Sequence, residues 1–149
     1  MATGSQISNP DLGDRLEALG QTLGAREAEH RDGLERARNC VERLRDRIEG
    51  ALERFHRAAA GAGAPHLRVS LGEIRIDEKH LRAVEFDLRR GRYRIVVTAK
   101  SRGDVTLVGP FRVGKNEGPC RSFPLESDTE LNDALANLLE SFLEEASTP

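Results

Sequence analysis

Between Leu12 and Phe55 the apolar residues recur at gaps of three and four, the spacing of one face of a helix. Leu12, Leu16, Leu19 and Leu23 form a short stripe, and Leu34, Ala37, Val41, Leu44, Ile48, Ala51 and Phe55 form a longer one. Glu27 and His30 occupy the seam, so joining the stripes requires a shift of phase near Leu23. Asn9 can cap the start, Pro10 suits the first helical position, and Asp11 and Asp14 suit the positive end of the dipole. Gly20, Gly24, Gly33 and Gly50 each cost a helix roughly 1 kcal/mol relative to Ala. Gly20 and Gly24 either mark a kink or break near residues 20–25 or admit another backbone, and the break is the expectation. The stretch AAAGAGAP, Ala58 to Pro65, ends the helical segment as a flexible joint.

A helix of ~35 residues from about residue 26 to 60 is ~50 Å long, whereas a head of fewer than ~90 residues is only ~25–30 Å across. Part of the longer stripe must therefore fold back on the first helix or meet another copy of the chain. Coiled-coil-like self-association, as a dimer, is expected through Leu34, Val41, Leu44, Ile48 and Phe55. The alternative is a helix pair packed within one monomer.

Beyond Pro65 the period changes to two. Placing Arg90 and Gly91 in a two-residue turn pairs Leu88 with Tyr93, Phe86 with Ile95 and Val84 with Val97, with Asp87 opposite Arg94. A three-residue loop, Ser101 to Gly103, sets Lys100 against Asp104, Ala99 against Val105 and Val97 against Leu107. Upstream, LRVSLGEIRI changes phase at Gly72, which predicts a bulge. Downstream, CRSF can return beside FRV as a last strand. The final segment opens with Ser127 and Glu130 as a capping box, followed by a stripe of Leu131, Leu135, Leu138 and Phe142 widened by Ala134, Leu139 and Leu143.

These elements predict an α+β protein: a long N-terminal helix, a four- or five-stranded antiparallel meander, and a C-terminal helix on the sheet. Residues 1–9 read as a disordered N-terminus, 10–60 as the oligomerisation segment, 65–146 as the head and 147–149 as a tail.

Charge is segregated along the chain. Residues 1–64 carry −1, residues 65–121 carry +6 and residues 122–149 carry −7, within a net charge of −2. Arg89, Arg90, Arg92 and Arg94, with Arg68, Arg75 and Arg82 nearby, predict a positive hairpin surface that could meet a protein partner or the phosphates of a nucleic acid. The acidic C-terminal helix, the pI near 6.1 and the aromatic content of 4% weigh against nucleic acid.

GPFRVGKN, Gly109 to Asn116, has the glycine and lysine spacing of a phosphate-binding loop. Asn116 stands where that loop needs Ser or Thr, and EGPC follows instead of a helix. The same residues fit a strand in which Gly109 faces Ile95, Phe111 faces Tyr93, Pro110 sits at an irregularity and Lys115 is solvated at a loop tip. Arg102-Gly103-Asp104 is explained by its turn. His30, His56, His66 and His80 are scattered, Cys40 and Cys120 read as small buried thiols, and no metal-ligand spacing occurs. No cofactor and no membrane segment are expected, and the N-terminus resembles no signal peptide. The resulting expectation is a cytoplasmic, non-enzymatic, self-associating protein-interaction module, an adaptor, scaffold or chaperone-like protein. Nucleic-acid binding through the basic hairpin is the alternative.

Overall fold

The computed structural model describes residues 11–77, 82–115 and 118–147. Helix α1, Leu12–Gly61, is one unbroken element of 50 residues, about 75 Å long at 1.5 Å per residue. Its N-cap is Asp11, whose Oδ1 accepts the Asp14 amide at 2.7 Å. Asn9 and Pro10, expected to start the helix, lie outside the described residues, as do residues 1–8. The expected break near 20–25 does not occur. Gly20 and Gly24 are helical, and their flanking residues are good helix formers that extend a helix nucleated elsewhere.

Six short segments follow: β1 (Ser70–Leu71), β2 (Arg75–Ile76), β3 (Ala83–Arg90), β4 (Tyr93–Lys100), β5 (Asp104–Arg112) and β6 (Cys120–Pro124). β1 and β2 share one edge, and beyond β3 the strands lie in chain order, all antiparallel. Pairing along that edge shifts by one residue between Leu71↔Leu88 and Arg75↔Glu85, the bulge anticipated at Gly72. The glycine is required there, since a Cβ would collide with the Asp87 carboxylate.

The first hairpin is displaced by two residues from its expected register. Leu88 faces Ile95, Phe86 faces Val97 and Val84 faces Ala99, with Gly91 and Arg92 in the turn. Gly91, at φ 57°, takes the first central position, where a type II′ turn needs a positive φ. A shift of two keeps every side chain on its intended face. The second hairpin has the expected register, with Gly103 at φ 108°. An ion pair of 3.0 Å between Arg102 and Asp104 spans the turn.

β5 departs from alternation between Arg94↔Phe111 and Val96↔Val108. The bulge includes Gly109, at φ 120°, whose missing Cβ admits the Arg94 carbonyl and Ile95. Phe111 thereby faces Arg94 instead of Tyr93 and moves to the opposite side of the sheet. β6 pairs with Asp104–Val108 and not with FRV, and the Gly109 amide extends the same register by donating to the Pro119 carbonyl at 2.8 Å. Lys115 is exposed as expected, and Asn116 lies outside the described residues.

Helix α2, Asp128–Ala146, has Ser127 as N-cap, but the serine side chain makes no capping bond. It packs Leu131, Ala134, Leu135 and Phe142 on the sheet face that also receives α1. Between them the helices cover Val84, Phe86, Leu88, Ile95, Val97, Ala99, Val105, Leu107 and Phe123.

α1 is buried from Gly33 to Leu52 only, a stretch of about 30 Å, close to the ~26 Å length of the eight-residue strands β3 and β4 on which it lies. Val41, Leu44 and Ile48 are 0–3% exposed inside this core, with Leu34 packed against it and Phe55 half-buried. The residues expected to join two copies are thus covered by their own chain.

Gly33 and Gly50 provide a test of this packing. Gly33 abuts the Ser101 carbonyl, whereas nothing lies within 4 Å of a Cβ at Gly50. Gly50→Ala is expected to raise stability by ~0.5–1 kcal/mol. Gly33→Ala is expected to lower it by ~2 kcal/mol despite the better helix former. Urea unfolding of both variants measures the opposite signs.

Candidate interaction surfaces

Among the described residues two surfaces remain uncovered. The first is the arm of α1 that precedes Gly33. Residues from Asp11 to Asp32 are exposed except for half-buried His30, and Leu12, Leu16, Leu19 and Leu23 retain 74, 57, 50 and 45% of their area. A row of four large aliphatic side chains with no cover is the pattern of a contact surface, unlike a leucine exposed singly. Between Asp11 and Asp32 the arm carries six acidic residues and three arginines, a net −3.

The second is the face of the sheet turned away from both helices, which forms a shallow groove of about 800 Å³. Val96, Val108 and Phe111 supply its apolar floor, and Thr98, Thr106 and Cys120 its polar one. Thr106 and Ser122 share a hydrogen bond of 3.0 Å across β5 and β6, and Thr98 donates to Glu85 at 3.2 Å. Phe111 reaches this face only through the bulge at Gly109, and Arg94 lies 5.9 Å over its ring.

At the β2 side of the groove Asp87 gathers three arginines. Arg94 Nε is 2.8 Å and Arg89 Nε 3.0 Å from its Oδ2, and Arg75 lies 3.7 Å from Oδ1 while also pairing with Glu85 at 2.9 Å. Burial alone raises the Asp87 pKa, but the hydrogen bonds from Arg89 and Arg94 and the charges of Arg94 and Arg75 outweigh it and hold the carboxyl below its ordinary range. Arg90 instead points its Nη1 at the His66 and Arg68 carbonyls, 3.3 and 3.0 Å away, and so ties the segment before β1 to β3. Of the four arginines singled out in the hairpin, Arg92 alone is an exposed turn residue with no ion pair among the described residues. Arg75, Arg89 and Arg94 thus share the two carboxylates of Glu85 and Asp87, while Arg90 and Arg92 pair with neither, so the hairpin surface keeps a positive excess.

The remaining chemistry-bearing residues are dispersed. His56 Nε2 accepts the Val69 amide at 3.0 Å, and burial, then Arg68, lowers the ring's pKa against the opposing charge of Glu53. His80 lies outside the described residues. Cys40 is buried, and desolvation raises its pKa against the hydrogen bond and charge of Arg43. Cys120 is exposed, contrary to expectation, because its side chain falls on the uncovered face. Among the described residues no group of His, Cys, Asp and Glu could hold a metal ion, and no helix is long and apolar enough to cross a membrane.

No protein-family profile, curated protein or solved structure matches the chain. The functional reading therefore rests on these surfaces.

The Asp87 cluster makes a testable contribution to stability. Its folded pKa lies below that of an unfolded aspartate, so its contribution is present above the unfolded pKa and is lost as pH falls through the folded one. Asp87→Asn is expected to lower stability at pH 7 by ~2 kcal/mol, between the values for exposed and buried pairs. In urea unfolding at a series of pH values, the difference from the wild type should shrink below about pH 4 and vanish once Asp87 is protonated in both states.

Proposed function

We propose that the chain is a non-enzymatic, self-associating protein-interaction module in which the arm joins copies and the head presents its open sheet face to a protein partner. The observation that carries this reading is the uncovered leucine row on a helix whose other half is locked into the head. Anchoring matters energetically. An isolated helix of that length is marginal in water, but here the nucleus is already formed and only propagation is needed. An ordered arm loses little entropy on pairing.

Charge supports a protein partner for the arm over the obvious alternatives. A net −3 is repelled by nucleic-acid phosphates and by anionic lipid headgroups alike, and more weakly by a second arm, whose three arginines offer oppositely charged partners. The groove combines an apolar floor with ion-paired walls, a surface suited to protein contact. His56, Asp87 and Cys40 are each engaged in packing or in hydrogen bonds that hold the fold, which supports a role without catalysis. Two free cysteines, one of them exposed, suit a reducing cytoplasm.

Sedimentation equilibrium tests the association. The wild type is expected to shift from monomer to dimer with rising concentration, and the double variant Leu16→Lys, Leu19→Lys to remain monomeric with unchanged helix content. A wild type that stays monomeric throughout, or a variant with the same mass distribution as the wild type, would overturn the proposal.

A further inference from the structure

Resting on the self-association reading, the geometry points to an arrangement of the two arms: we propose that they pair antiparallel, Leu12 against Leu23 and Leu16 against Leu19 of the second copy. The direction follows from which way the leucines look. Leu16, Leu19 and Leu23 precede Leu34, Ala37 and Val41 by 18 residues each, about five turns at 3.6 residues per turn. α1 is unbroken between them, so the exposed row lies on the same side of the helix as the row packed on the sheet.

A partner helix lying on the leucine row therefore occupies the layer that the sheet occupies further along. If that partner ran parallel and in register, its residues beyond Gly33 would pass into β3 and β4, which sit on Ala37, Val41 and Leu44. Its Arg26 would also fall against Arg26 of the first chain at the next contact layer, a like-charge contact. Reversing the partner removes both conflicts. Each helix then reaches the other's arm with its N-terminus, and the two heads lie at opposite ends.

The register follows from matching the leucines. With Leu12 against Leu23 and Leu16 against Leu19, all eight leucines of the pair fall in contact layers. In the same register Gly13 and Gly20 lie on one flank of the leucine layers, level with Thr22 and Arg15 of the second copy. Within its own chain a Cβ at Gly20 would meet nothing within 4 Å, and one at Gly13 only the Asp11 carboxylate at 3.4 Å. Two glycines seven residues apart let the backbones approach on that side. The pair is a two-headed rod. The points where α1 enters each head are about 45 Å apart at 1.5 Å per residue, and the two open sheet faces look in opposite directions.

Disulfide trapping distinguishes the arrangements, in a Cys120→Ser background that removes the exposed thiol. Leu12→Cys and Leu23→Cys proteins are oxidised separately and as an equimolar mixture; both positions are exposed, so neither change disturbs the head. The antiparallel register is expected to give a disulfide-linked dimer in the mixture and none from either protein alone, because equivalent positions lie about 16 Å apart along the axis. Dimer formation by Leu12→Cys alone would overturn the orientation while leaving self-association standing. Sedimentation as a dimer with no cross-link in any sample would overturn the register. A wild type that sediments as a monomer throughout overturns both this arrangement and the reading it rests on.

Discussion

A helix about 75 Å long lies on a sheet that can cover about 30 Å of it, and the rest of the structure depends on that mismatch. The sheet takes the segment from Gly33 to Leu52, where Ala37, Val41, Leu44 and Ile48 close the core. Because α1 is unbroken, its remaining turns have nowhere to fold back to within the chain. The leucines of the arm are left in solvent at the end of the sheet, on the side that faces the core further along. The proposed self-association and its proposed direction both rest on this single arrangement.

The head explains why the helix stays in place. Gly33 lets α1 approach the turn after β4, and Gly72 and Gly109 let the sheet bend at its two irregular strands. Each of these glycines sits where a Cβ would strike a neighbouring group. The irregularity at Gly109 also has a consequence for surface chemistry, since it moves Phe111 from the core side to the open face and puts an aromatic ring in the groove's floor.

Much of this was legible in the sequence. Period-two alternation gave both hairpins their faces, and the loop ending at Gly103 gave the second its register. The first register was misread because Arg90-Gly91 and Gly91-Arg92 both preserve the faces, and the choice rests on which central position needs a positive φ. Both helical stripes were visible, but which one the head would cover depends on where α1 docks, a long-range property that periodicity does not carry. Counting arginines did not tell which of them are engaged by carboxylates for a similar reason. Arg75, Arg89 and Arg94 come from three strands, and their convergence on Asp87 exists only once the register is set. The exposure of the arm could be suspected from the head's size, whereas its position had to come from the fold.

The central claim is that α1 has two differently covered halves, one sealed by its own sheet and one by a second copy. Hydrogen exchange resolved along the helix, followed over a range of protein concentrations, measures this directly. Amides between Gly33 and Leu52 should be strongly protected at every concentration, while those between Leu16 and Leu23 should gain protection as concentration rises. Arm amides whose protection is independent of concentration would contradict the account.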